Sequence, residues 1–161
     1  MWNTAAALAG NSSLNQVIQD AYWLWPVLEI VHFVGLSLLF GGLLIVDLRM
    51  LGFFRCIDQT KTRRLLPAVM VGFALNAVTG VLFFFGDPGR YAANIGFRIK
   101  MGLILIAGVN AVLYHWKVVP LARPVSAAVV SPWPKLSATI SLMTWAGVLW
   151  FGRLIPYIGS G

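Results

Sequence analysis

Residues 23–52, WLWPVLEIVHFVGLSLLFGGLLIVDLRMLG, decide how the rest of the chain is read. Two tryptophans and a proline lead into an apolar run long enough to cross a bilayer, which takes roughly 20 residues. Within the run stand one carboxylate, Glu29, and one imidazole, His32, and it closes on Asp47 and Arg49. Ionisable groups inside a lipid-spanning segment are costly and mark function by default. The stretch therefore predicts a transmembrane helix over 24–47 and a functional site upon it.

Working outward, the composition agrees with a membrane setting. Of the 161 residues, 59% are hydrophobic and 11% charged, whereas a soluble domain carries about 25% charged residues. Mean hydropathy is +0.81. Three more apolar segments follow, at 65–86, 97–119 and 135–157, so residues 1–161 read as one membrane domain with four spans. Asp87-Pro88-Gly89 reads as the turn that ends the second span, and residues 120–134, with four prolines, read as a loop. Before the first span, SSLNQVIQDAY (12–22) is too short and polar to cross and predicts a helix at the interface, with Ser12 or Ser13 as its N-cap. The expected fold is all-α: a four-transmembrane-helix bundle with a short N-terminal interfacial helix.

The net charge of +7 is a topology signal. Arg49, Arg55, Lys61, Arg63 and Arg64 fall in the first connection, and Lys117, Arg123 and Lys135 in the third; only Arg90, Arg98, Lys100 and Arg153 lie at the opposite ends. Lys and Arg gather on the cytoplasmic side, which puts both termini outside. Basic residues dispersed in this way argue against nucleic acid as a partner. A single cysteine, Cys56, excludes an intramolecular disulfide and any multi-cysteine metal site. The N-terminus lacks a positive n-region and does not read as a cleaved signal.

Glu29 and His32 are three apart, hence neighbours on one helical face that Leu36, Leu39, Leu43 and Asp47 continue. One reading has the two satisfy each other or an adjacent helix. The other makes His32 an axial haem or metal ligand, with Glu29 steering the ring or relaying a proton. Gly35, Gly41 and Gly42 permit close approach of a helix or a flat macrocycle. In the second span Gly72, Asn76, Thr79 and Phe83 share a face, and Asn76 is expected to make an interhelical hydrogen bond or to line a cofactor. In the third, Lys100 beside Arg98 either snorkels to the outer boundary or meets the propionates of a haem. His115 is the only other histidine. At 1.5 Å per residue, His32 lies roughly 12 Å and His115 roughly 27 Å below the outer boundary. A haem held by His32 near the outer side fits those depths better than one iron shared with His115, and its second ligand stays open.

The pattern E-x-x-H-x-x-G followed by G-G-x-x-x-x-D-L-R-x-L-G in the first span, with K-x(9)-N in the third, resembles small uncharacterised four-helix inner-membrane proteins of bacteria. More distantly, the stretch from Trp23 to Tyr157 resembles the HemJ-type protoporphyrinogen oxidase and copper-resistance-D-type membrane proteins. The HemJ resemblance implies a b-haem oxidoreductase with a histidine on the first helix and a lysine on the third, positions that His32 and Lys100 occupy. Glu29 and the D-L-R-x-L-G ending are closer to the uncharacterised group, and the five methionines are scattered, unlike the clusters a copper-type protein implies. The expectation is a membrane protein binding haem b through His32, with Arg98, Lys100, His115 and Asn76 as further cofactor contacts. Its partners would be quinone or a redox protein, and it would act as a homo-oligomer or a subunit of a membrane complex. The alternatives are a metal-ion or proton permease element using Glu29, His32 and Asp47, and a non-catalytic accessory subunit.

Overall fold

The computed structural model describes residues 2–54, 56–57, 61–62, 64–118 and 132–158. These form α1 (Trp2–Gly10), α2 (Ser13–Asp20), α3 (Leu24–Leu51), α4 (Leu66–Gly86), α5 (Pro88–Ala93), α6 (Ile95–Leu113), a π-helical turn Tyr114–Val118 that continues α6, and α7 (Trp133–Leu154). The all-helical expectation is met, with no strand among the described residues. Three helices, α3, α4 and α6 prolonged to Trp116, are long and apolar enough to cross a membrane. α7 has comparable length, 22 residues, but Lys135, Arg153 and interspersed serines and threonines dilute its apolar character.

Several boundaries differ from the sequence reading for identifiable reasons. α3 continues past Asp47 because nothing stops it before Gly52, whose φ of 103° is a left-handed conformation natural to glycine. The Phe53 N–H then reaches the Leu48 carbonyl at 2.9 Å and closes the helix. Asp87-Pro88-Gly89 is not a bare turn. Asp87 accepts from the Arg90 N–H at 3.2 Å and Pro88 takes the first position of α5. The N-terminal region holds two helices, with Ser12 capping the second by accepting from the Asn15 N–H. Of the proline-rich 120–134 segment, 120–131 lies outside the described residues, and Trp133-Pro134 belongs to the first turn of α7.

α3 and α4 cross where Gly35 meets Gly72. A Cβ on Gly72 would stand 2.6 Å from both the Gly35 carbonyl oxygen and the Leu39 nitrogen, so only hydrogen fits. Gly42 makes a second tight contact, against Val69. α6 packs on α7, and α7 packs on α3. Across the bundle the neighbour order is thus α4–α3–α7–α6. Although α4 and α6 are joined by the short α5, they are not packed on one another along their length. An apolar groove of about 540 Å³ opens there, with Phe73 of α4 on one side and Leu105, Val109 and Trp116 of α6 on the other. At the Gly86 end the gap is closed by Phe84 stacked on Phe97, centroids 5.9 Å apart.

Polar side chains tie the helix ends. Asn15 of α2 donates to the Phe85 carbonyl at 2.7 Å, and Gln19 donates to that of Gly86, satisfying acceptors that the end of α4 leaves open. Asn94, 1% exposed, caps α6 by accepting from the Phe97 N–H, while its amide donates to the carbonyls of Ile155 and Ile158 beyond α7. Farther along the same pair of helices, Asn110 donates to the Ser137 carbonyl and accepts from its hydroxyl, each at 3.1 Å.

Candidate functional site

His32 sits two turns into α3, half-buried, with its ring against α4. Its Nδ1 is 2.6 Å from the Thr79 hydroxyl oxygen. That hydroxyl has its own acceptor, the Leu75 carbonyl one turn back at 2.7 Å. A hydroxyl has a single proton to give. With that proton on Leu75, Thr79 accepts, and Nδ1–H of His32 donates to it. The neutral imidazole then carries its lone pair on Nε2, which makes no hydrogen bond among the described residues.

Aromatic rings wall the imidazole. Phe83 is tilted against it at 5.4 Å between centroids, and Trp25 lies 5.2 Å from Phe83. Gly86 makes room for the Trp25 ring, since a Cβ there would fall 2.7 Å from its Cζ3. α2 presses Ile18 onto the same glycine, so the N-terminal helix covers this end of the α3–α4 contact.

Glu29 does not meet His32. It is exposed and accepts from the Trp25 indole N–H at 3.1 Å, one turn back on its own helix. Mutual satisfaction of the Glu29–His32 pair is therefore not what the fold contains, and the partner that orients the imidazole is Thr79. Burial pushes the phenol of Tyr91 on α5 above the usual range, with smaller opposing effects of Arg90 and of Asp87 and Glu29, so it stays a neutral hydroxyl.

Lys100 of α6 is half-buried and lies within electrostatic range of His32. Its ammonium lies over Gly152 of α7, where a Cβ would come within 3.4 Å of Nζ. No hydrogen bond or ion pair to Lys100 is present among the described residues. The imidazole thus has its packing partners on α4 and its electrostatic neighbour on α6, the two helices that are not packed together. Arg98 is otherwise engaged. Its guanidinium donates from Nε and Nη2 to the Ala92 carbonyl, the latter at 2.9 Å, and so secures the end of α5.

Two other expected contacts fall elsewhere. Asn76 makes no interhelical hydrogen bond among the described residues. Its amide is pressed into the Gly35–Gly72 crossing and donates to the Gly72 carbonyl of its own helix at 2.9 Å, the acceptor nearest to hand. His115 is exposed in the π-helical turn. From Lys100 to His115 the rise along α6 is about 22 Å, so the two histidines do not face a common centre. No group of three or more His, Cys, Asp or Glu side chains that would hold a metal ion by itself exists among the described residues. The row Glu29, His32, Asp47 also divides: the first turns to Trp25, the second to α4, and the third is buried beside Ser141 of α7.

Sequence reasoning placed Thr79 on the face of Asn76 but assigned it no role. The available signal was register: His32 lies three residues before Gly35 and Thr79 seven after Gly72, so an antiparallel crossing at the two glycines puts both on the same side of it, about 6 Å apart in height, a gap the side chains span. Asn94 carried only the weak signal of an N-cap residue before an apolar run. No protein-family model matches the chain, and no curated protein or solved structure proved similar to it.

Proposed function

We propose that the chain is a bacterial inner-membrane protein in which α7 joins α3, α4 and α6 as a fourth crossing, both termini facing outward, and that His32 binds one b-type haem near the outer side. The observation that carries this reading is the committed Nδ1 of His32. A ring nitrogen that donates to a fixed acceptor sets the tautomer and aims the opposite nitrogen, the arrangement found around ligating histidines. The donor set fits a haem at three points: an Nε2 and a Lys100 ammonium, each without a hydrogen-bond partner among the described residues and the latter suited to a carboxylate, and aromatic walls from Phe83 and Trp25.

When bound, the haem supplies reversible one-electron chemistry. The residues around it hold and insulate. Thr79 orients the imidazole, α2 and Trp25 exclude water from the end of the α3–α4 contact, and Lys100 offsets negative charge in a poorly solvated setting. The apolar groove between α4 and α6 suits the tail of a quinone, the membrane electron carrier this reading calls for. Reduced-minus-oxidised absorption spectra of the purified protein test the proposal; a preparation that is colourless and takes up no added haem removes it.

A further inference from the structure

The opposite end of α3 holds a second buried titratable group that the His32 site does not use. Asp47 is 5% exposed, and its Oδ2 is buried with no hydrogen-bond partner. The hydroxyl of Ser141 on α7, 7% exposed, is the neighbouring polar group of the carboxyl. Ala138, one turn away on α7, is fully buried and Val46 beside Asp47 is 6% exposed, so the surroundings are apolar. From position 32 to 47 the rise along α3 is about 22 Å, which separates this group from His32.

No described cation turns toward it. Arg49, on the same helix, donates to the Ile57 carbonyl at 2.6 Å. Lys61 and Arg64 in the connection before α4, and Lys135 on α7, are exposed. Thr62 is buried and has a partner of its own, and Arg55, Asp58 and Arg63 lie outside the described residues. A carboxylate has only acceptor sites, and leaving one without a donor in an apolar contact is far costlier than burying the neutral acid. A proton on Oδ2 removes the charge and leaves a neutral acid beside the Ser141 hydroxyl.

We propose that Asp47 and Ser141 form a proton-binding site between α3 and α7. Loading joins one proton from the aqueous phase to the Oδ2 oxygen, with no other bond broken and no electron moved. Unloading leaves a carboxylate that draws water or a cation between the helices, so the α3–α7 contact follows the state of this one group.

Infrared spectroscopy in lipid tests it, and the chain has only five Asp and Glu to assign. The expected result is a carbonyl-stretch band of one protonated carboxylic acid at neutral pH, lowered in heavy water and absent in Asp47→Asn. Ser141→Ala keeps the band but moves it, since the polar neighbour of the acid is lost. That second variant reads the same contact should Asp47→Asn not fold. A spectrum without such a band at neutral pH, or with one indifferent to both substitutions, overturns the proposal. Thermal stabilisation by sodium that Asp47→Asn abolishes would then assign the site to a cation instead.

Discussion

The imidazole of His32 and the hydroxyl of Thr79 are 47 residues apart in the chain and 2.6 Å apart in space. Because the Thr79 hydroxyl donates its hydrogen bond to the Leu75 carbonyl, the contact has a direction, and the ring nitrogen left over is Nε2. Thr79→Val keeps the volume and removes the acceptor. Partners of this kind are typically worth 10–100-fold in affinity for the bound group, so haem titration followed by absorbance should show a loss of that order. Thr79→Ser should restore most of it. Equal affinity in the valine variant would mean that the hydroxyl does not orient the ring.

Lys100→Met should weaken haem uptake by about tenfold, the scale of one lost charge-assisted hydrogen bond. Arg98→Gln should matter less to uptake, because its guanidinium already serves the Ala92 carbonyl. The same titration separates the two variants, and a larger effect from Arg98 would reverse the assignment.

Gly72→Ala places a methyl 2.6 Å from two backbone atoms of α3. Backbone yields poorly, and overpacking of this sort costs about 1–3 kcal/mol. Gly41→Ala, with nothing within 4 Å, is the control; alanine is favoured over glycine in a helix by about 0.5–1 kcal/mol. Thermal unfolding in detergent should therefore move in opposite directions for the two.

Asn94→Ala removes the cap of α6 and the link to the end of α7 together. The cost should be about 1–3 kcal/mol, since carbonyls are left without a donor in a buried position. Hydrogen exchange should show the first turn of α6 and residues 155–158 losing protection in concert. Loss confined to α6 would show that the link to α7 contributes nothing.

The helices were legible because lipid-length apolar runs bounded by Trp, Pro, Gly and charge have few other readings. The pairing that makes the site was less so. Glu29 and His32 are close in sequence, and helical spacing alone suggests that they interact. Helix directions place them near each other without saying which neighbour each side chain reaches. Trp25, also one turn from Glu29, and Thr79, brought to the same side of the Gly35–Gly72 crossing as His32, are the partners the two side chains reach. Asn76 was misread for a similar reason: in a crossing this tight, its closest acceptor is its own helix's Gly72 carbonyl. Tertiary register decides such choices, and a single sequence carries it only through small residues at the crossing.

The most direct measurement is the dithionite-reduced minus air-oxidised absorption spectrum of the purified protein, recorded alongside His32→Ala. The account predicts the sharp visible bands of a b-type haem in the unaltered chain and their loss in the variant, with folding kept. Bands that persist without His32, or a protein that stays colourless after haem is supplied, would contradict it.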